Sequence, residues 1–595
     1  MSGAIPESLH GLNFYEIDPA FAARQSRLLG DGYAHAEPLL RAMGAAAGGP
    51  VDRLASIADA HPPQLVPREG FDEVELNLAY HEMRRIAYGA GIVSLAYEPD
   101  AWPAGGAKGA GRAPHVLVFG LGYVFGQAEA GLFCPICMTD GAARVVQRHA
   151  PERLRSVYLP RLTARDTRTL SEGAMFLTER QGGSDVGANA TVARPASGRE
   201  GVYTLHGEKW FCSNAGAEVM LVLARPEGAP AGTAGLGLFL MPLYLEDGRR
   251  NPGLRFRRLK DKLGTRSMAT GEAELDGAEA YLLAAPAAAG GAGFKAMLDM
   301  VALSRLYNAV ASCACMRRAL AEAALHARRR VAFGQPIERY SLVRETLVEL
   351  ACELEGATAL TFEAARLLDR MDAGEATAEE RGAFRALLPL AKLHTARLSV
   401  WAASEAIEIR GGDGYVETDS VLPRLLRDAQ VLPIWEGTTN IQVLDVLRGG
   451  GRDGALAAVR AQSEARRGRA RTEAARALHD RIAGPLDAAL ETLGRAAREG
   501  EPPRDGQAVA RRLAWAVEAS LLAEEADEAL SREDGRLLAV AETLFALRLT
   551  PPGADGARPL GEAARAEPVF EAIVRGRPLK AAGPPRGSCP TPNRT

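Results

Sequence analysis

The stretch Pro433-Ile434-Trp435-Glu436-Gly437-Thr438-Thr439-Asn440-Ile441-Gln442 sets one acid against an apolar, aromatic flank, with a Gly and two hydroxyl residues directly behind it. It then opens an amphipathic segment that reads as a helix running to Arg448. A carboxylate deprived of water is disfavoured as the anion, so its pKa climbs toward neutrality, where a base transfers protons best. Glu436 is therefore a candidate proton-abstracting base. The competing reading is an ordinary first-turn carboxylate stabilised by the helix dipole. What lies upstream decides between them.

Immediately before it, Ile409-Arg410-Gly411-Gly412-Asp413-Gly414-Tyr415 closes a long helical pattern, and taken alone its glycines make a C-terminal cap. Val343, Leu347, Leu350, Leu354, Ala357, Leu360, Ala364, Leu367 and Met371 step by three and four, as do Leu388, Ala391, Thr395, Leu398, Ala402, Ala406 and Ile409. With an opening helix from Phe294 and a closing one from Thr438, the pattern predicts a four-helix bundle. Further upstream the period changes to two. Val202 to Gly207, Val219 to Leu223, Gly237 to Met241 and Glu272 to Leu275 read as short strands of an antiparallel β-barrel domain. Residues before about 165 read as helices and loops, with a helix expected from Glu73 to Ala96 and a flexible Gly/Ala loop at residues 104–111. Gly449-Gly450-Gly451 reads as a hinge into a further helical region, and the Pro-rich end as a disordered tail. The expected architecture is thus multidomain α+β. It comprises an N-terminal helical domain (1–167), a middle β domain (168–290), a four-helix bundle (291–448), an added C-terminal helical domain (449–576) and a tail (577–595).

A chain of 595 residues exceeds one core, and its formal charge of −3 offers a polyanion no global attraction. The opening residues lack the basic and apolar regions of a signal peptide, and no apolar run is long enough to span a bilayer, so a cytoplasmic protein is expected. Seven scattered cysteines agree with a reducing compartment. Cys134-Pro135-Ile136-Cys137 lacks a second pair at zinc spacing and reads as buried thiols rather than a metal or redox site.

Two further stretches support Glu436. Phe176-Leu177-Thr178-Glu179-Arg180-Gln181-Gly182-Gly183-Ser184-Asp185 and Gly207-Glu208-Lys209-Trp210-Phe211-Cys212-Ser213-Asn214 combine strands, a Gly-rich turn and hydroxyls into a surface that a flat polar ring could approach. Alone, the first is a tight turn capped by Ser184 or Asp185. In the order Thr-Glu-x-x-Gly-Gly-Ser-Asp, Gly-Gly-x-Gly-Tyr, Ile-Trp-Glu-Gly-Thr-x-Asn-Ile, the chain resembles the acyl-CoA dehydrogenase family over about residues 70–450. Arg180-Gln181, Leu259-Lys260-Asp261-Lys262-Leu263-Gly264, Met316-Arg317-Arg318-Ala319 and Leu444-Asp445-Val446-Leu447-Arg448, with the added C-terminal region, are similar to its alkylation-response, AidB-like branch.

The resemblance implies FAD as cofactor, held by Thr178, Gly183, Ser184, Phe211 and Ser213, and by Gly411, Gly412, Thr438 and Asn440. It implies a homotetramer in which Arg330 and Phe333 reach the FAD of a neighbouring subunit, and an acyl-CoA substrate met by Ser184, Arg305 and Arg448. Glu436 matches the catalytic base of α,β-dehydrogenation. Phe211, Ser213, Asn440, Glu408 and Ala302 depart from the usual Trp, Thr, Gln, Gln and carboxylate, and the last two weaken the FAD and CoA contacts there. The branch also implies double-stranded DNA as a partner through Arg460, Arg466, Arg467, Arg469, Arg471, Arg476 and Arg481, although these read equally as a solvated helix face. A DNA-binding flavoprotein of the alkylation-damage response with vestigial activity, and a flavin-free helical assembly protein, stand as the alternatives.

Overall fold

The computed structural model describes residues 5–103, 111–452, 454–551 and 565–581. Most of the Gly/Ala loop and most of the expected tail lie outside the described residues. Helices dominate both ends of the chain, with a β-barrel between them. Among the described residues no helix is long and apolar enough to cross a membrane.

The N-terminal helices surround His115–Gly126, which is apolar on nearly all sides and buried throughout, as a helix without a polar face must be. One expectation fails here. Residues Gln64–Arg68 and Phe71–Glu75 pair as a hairpin, and the helix starts only at Leu78, capped by the Asn77 side chain. The left-handed Gly70 (φ 82°) makes the turn, and the cross-strand pairing of Val74 with Leu65 outweighs the helical spacing that Val74 shares with residues beyond.

In the barrel, Val219–Pro226, Val192–Pro195, Val202–Ser213, Thr270–Ala284 and Gly237–Pro242 follow one another, and the last pairs back to the first, closing the sheet. Gly173–Phe176 and Leu254–Leu259 add to its edges. The strands run well past the short segments expected, and the sheet is mixed rather than purely antiparallel. Gly173–Phe176 and Val192–Pro195 both run parallel to Val219–Pro226. The barrel interior is its own apolar core, around Phe176, Leu205, Phe239 and Phe256.

The bundle helices are Gly293–Arg329, Ser341–Asp372, Ala378–Arg410 and Thr439–Arg452, with a short amphipathic helix, Leu422–Ala429, in the last connection. The third starts on a capping box formed by Thr377 and Glu380. The expected hinge at Gly449-Gly450-Gly451 is instead the end of the fourth bundle helix. A Cβ at Gly450 would lie 2.6 Å from Leu456 Cδ1, and one at Gly451 would lie 3.2 Å from the Ala497 carbonyl. Those glycines admit close packing rather than bending, so one apolar core runs from the N-terminal helices through the bundle to Leu478, Leu513 and Phe570.

Candidate active site

Glu436 lies in the turn just before the fourth bundle helix, at φ 56°, and Gly437 follows at φ 96°. A left-handed non-glycine residue is strained and persists only where its surroundings hold it. Two side chains do so. Gln442 Nε2 donates to the Glu436 carbonyl at 2.8 Å and to the Gly437 carbonyl at 3.2 Å. Lys392, fully buried in the third bundle helix, donates from Nζ to the Gly437 carbonyl at 2.7 Å. A Cβ on Gly437 would fall 2.8 Å from Gln442 Nε2, so the clamp also needs the glycine.

The same packing removes water from the acid. Glu436 keeps some solvent contact, yet protein crowds its carboxyl, and this desolvation pushes its pKa up to about 7 against the opposing fields of Arg305 and Lys392. Burial pushes Lys392 down to about 7, opposed by Glu436. Arg305, on the first bundle helix, ion-pairs Asp445 at 2.5 Å and reaches the Glu436 carbonyl only at 3.4 Å. Asp445 also takes Arg385 at 2.6 Å.

Ser213 ends the Val202–Ser213 strand, paired with Thr270, and Phe211 just before it is 55% exposed. Cys134, on the N-terminal helix Phe133–His149, meets the Ser213 side chain and feels the Glu436 charge, so its thiol is near both the strand end and the acid. Cys137 bears on Glu436 in the same way, and burial pushes both thiols up, Cys134 to about 12. They are free, buried and unreactive as nucleophiles at neutral pH.

The Thr178 to Asp185 stretch is a tight turn at the barrel rim. A Cβ on Gly183 would meet Thr178 Oγ1 at 2.6 Å, so glycine alone lets the two approach. Trp210 N–H donates to the Thr178 carbonyl at 2.9 Å, which joins both sequence stretches into one surface, with Ser184 exposed beside them. Glu179 points the other way. It pairs with the buried Lys209 at 2.8 Å and accepts from Thr191 and from the N–H of Ala190, which ties the turn to the barrel.

Most other expected site residues are exposed. Arg330 is exposed, and Phe333 is 98% exposed at φ 50° on the tip of the hairpin Val331–Ala332 with Gln335–Pro336. Gly411 (φ 71°) and Gly412 are exposed at the end of the third bundle helix. Thr438 and Arg448 are exposed, and Asn440 accepts from Gln507 at 2.6 Å, facing the C-terminal helices.

The seven arginines have partners. Arg460 meets Asp487 at 2.7 Å, Arg467 meets Asp480 at 2.5 Å, Arg469 meets Glu524 at 2.6 Å and Arg471 meets Asp527 at 3.3 Å. Arg476 donates to the Arg471 carbonyl at 2.9 Å, and Arg481 lies over the Phe545 ring, 3.8 Å from Glu542. Arg466 is buried between Glu363 and Glu524, which takes it out of reach of a duplex and corrects its place in the expected patch.

Sequence reading missed Lys392 and the role of Gln442. The signal for Lys392 was one cation in the otherwise apolar run Leu390-Ala391-Lys392-Leu393, since an unpaired buried lysine is rare.

Three family models match the chain. They are the AidB N-terminal domain over residues 5–167, the acyl-CoA dehydrogenase middle domain over 174–278 and the acyl-CoA dehydrogenase C-terminal domain over 291–451. A putative acyl-CoA dehydrogenase AidB of Escherichia coli is 38% identical over 407 residues, 66% of this chain and 70% of that protein. Acyl-CoA dehydrogenase family member 11 of Caenorhabditis elegans is 34% identical over 448 residues, 73% of this chain and 70% of that one. The crystal structure of Caenorhabditis elegans ACDH-11 in complex with C11-CoA superposes with a TM-score of 0.83 at 30% identity, covering 93% of this chain and 94% of that one.

Proposed function

Because this chain belongs to the acyl-CoA dehydrogenase family, in its AidB-like branch, we propose that it is an FAD-dependent oxidoreductase that desaturates an acyl-CoA thioester between Cα and Cβ. The observation that carries this reading is Glu436. It is an acid held in a strained turn and desolvated to a pKa of about 7, with Cys134, which meets the barrel residue Ser213, close enough to feel its charge.

The residues at the barrel rim suit a flavin. Gly183 leaves the Thr178 hydroxyl uncovered, Ser184 is exposed beside it, and Phe211 and Ser213 line the facing strand. Exposed Arg330 and Phe333 on their hairpin, with Gly411 and Gly412, would meet the cofactor of a neighbouring subunit in a homotetramer, and Thr438 and Asn440 belong to the same group of contacts. FAD, when bound, accepts the β hydrogen as hydride.

The chain's own part is the proton. Glu436 takes the α hydrogen as H⁺ while the Cα–Cβ double bond forms, and its near-neutral pKa matches that task. An α proton beside a thioester is too weakly acidic unless the carbonyl oxygen is stabilised, and the Glu436 N–H is the backbone donor for that charge. Arg305 and Lys392 hold the turn and bias the acid toward ionisation. Ser184, Arg305 and Arg448 are the proposed CoA contacts, with Arg305 first released from Asp445. Since the nematode structure holds C11-CoA, that thioester is the first probe. Adding it anaerobically to the purified yellow protein should bleach the flavin, and no bleaching across short, medium and long acyl-CoAs would overturn the reading.

The DNA-associated alternative draws less support, because its arginines are committed to carboxylates.

A further inference from the structure

Where the C-terminal helices pack on the bundle, two buried polar side chains face each other without hydrogen bonds. His394, on the third bundle helix, and Glu518, on the helix Gly506–Leu530, are fully buried. His394 Nε2 lies 3.3 Å from Glu518 Oε1, but the groups are not aligned to bond. Both ring nitrogens and both carboxylate oxygens lack a hydrogen-bond partner among the described residues. Glu353, on the second bundle helix, completes the group, and one ligand atom from each residue lies within 4.8 Å of the other two. Buried polar atoms are almost always satisfied, so four orphans on two facing side chains need a physical cause.

The surroundings are built for these groups. Glu353 is oriented by Trp515 Nε1 at 3.0 Å and by Arg548, which also pairs with Glu349, and it retains lone pairs on both oxygens. Gly356 makes room for Glu518, since a Cβ there would sit 2.9 Å from Glu518 Oε2. The Trp515 ring meets His394 edge-on with centroids 5.1 Å apart, which fixes the imidazole plane. Arg548 and Arg511 are the cations that bear on His394, against the carboxylates of Glu353, Glu518 and Glu349.

We propose that Glu353, His394 and Glu518 form a structural binding site for one divalent first-row transition-metal ion, which pins the C-terminal helices to the bundle. An imidazole and two carboxylates are a donor set that zinc, manganese or iron accepts, and outer partners such as Trp515 and Arg548 are what orient metal-bound carboxylates. Ligands drawn from facing helices are the usual way a bundle core holds an ion. The site does not involve the flavin, and its test does not depend on the proposed dehydrogenation.

The experiment is elemental analysis of the full-length protein as purified, and again after refolding with Mn²⁺, Fe²⁺, Co²⁺ or Zn²⁺ followed by desalting. Roughly one ion per chain is expected, falling to below about a tenth in Glu518→Gln and His394→Leu. On the wild-type protein, X-ray absorption should report nitrogen and oxygen donors at about 2.0–2.2 Å, a readout that does not depend on either variant folding. Wild-type protein without bound ion after every refolding overturns the site, as does a full complement of ion in both variants.

Discussion

Around Glu436 the fold withholds partners from a charged side chain, whereas along residues 460–481 it supplies them. Glu436 sits in a left-handed turn whose two carbonyls are held by Lys392 and Gln442, and its carboxyl is left with protein on most sides and a pKa of about 7. Arg460, Arg467, Arg469 and Arg471 have carboxylates at contact distance, Arg476 holds a carbonyl, and Arg466 is buried with two acids. A run of charge is conspicuous in a sequence, yet paired charge has little field left to act on a ligand. One isolated acid is inconspicuous, yet desolvation raises its pKa to about 7, as the proposed base requires.

The largest effect expected from breaking this contrast is at the acid. Glu436→Gln should lower C11-CoA-dependent dye reduction by about 10²–10⁴-fold with the flavin retained, as removal of a general base does. An unchanged rate would remove Glu436 from the chemistry. Next is the buried arginine. Arg466→Ala leaves Glu363 buried with one cation fewer and should cost about 3 kcal/mol in urea unfolding, while exposed Arg467→Ala should cost under about 1.

A smaller effect sharpens the electrostatics. Glu436 acts when ionised, so kcat/KM should rise as pH increases through about 7 and level above it. Lys392 lowers that pKa, so Lys392→Met should move the rising limb to higher pH, and an unmoved limb would deny the lysine its role. Smallest of all, Arg467→Glu with Arg469→Glu and Arg476→Glu should leave duplex retention in a gel shift unchanged within about twofold, because those side chains are already engaged. A salt-steep loss would restore DNA as the partner of this region.

Local pattern accounts well for what was legible. The long helices follow from repeats of three and four, the barrel from alternation, and the third bundle helix starts at a capping box written in Thr377 and Glu380. The errors arose where spacing alone was ambiguous. Gly449-Gly450-Gly451 satisfies either a hinge or a tight helix contact, and only Leu456 and Ala497 lying against it decide for the contact. Val74 suits a helix face as well as a strand, and the pairing of Leu65 with Val74 decides for the strand.

By itself the sequence determined the order of elements and the family motifs, and it singled out Glu436 as the candidate base, since each is carried by residues near one another in the chain. Tertiary structure alone decided which charges are neutralised. Lys392 lies more than forty residues before Gly437 yet holds its carbonyl, Cys134 comes from the N-terminal helices to meet Ser213 and feel the Glu436 charge, and Glu363 reaches Arg466 from the bundle. Desolvation and pairing are properties of what surrounds a group in space, and those neighbours come from distant parts of the chain.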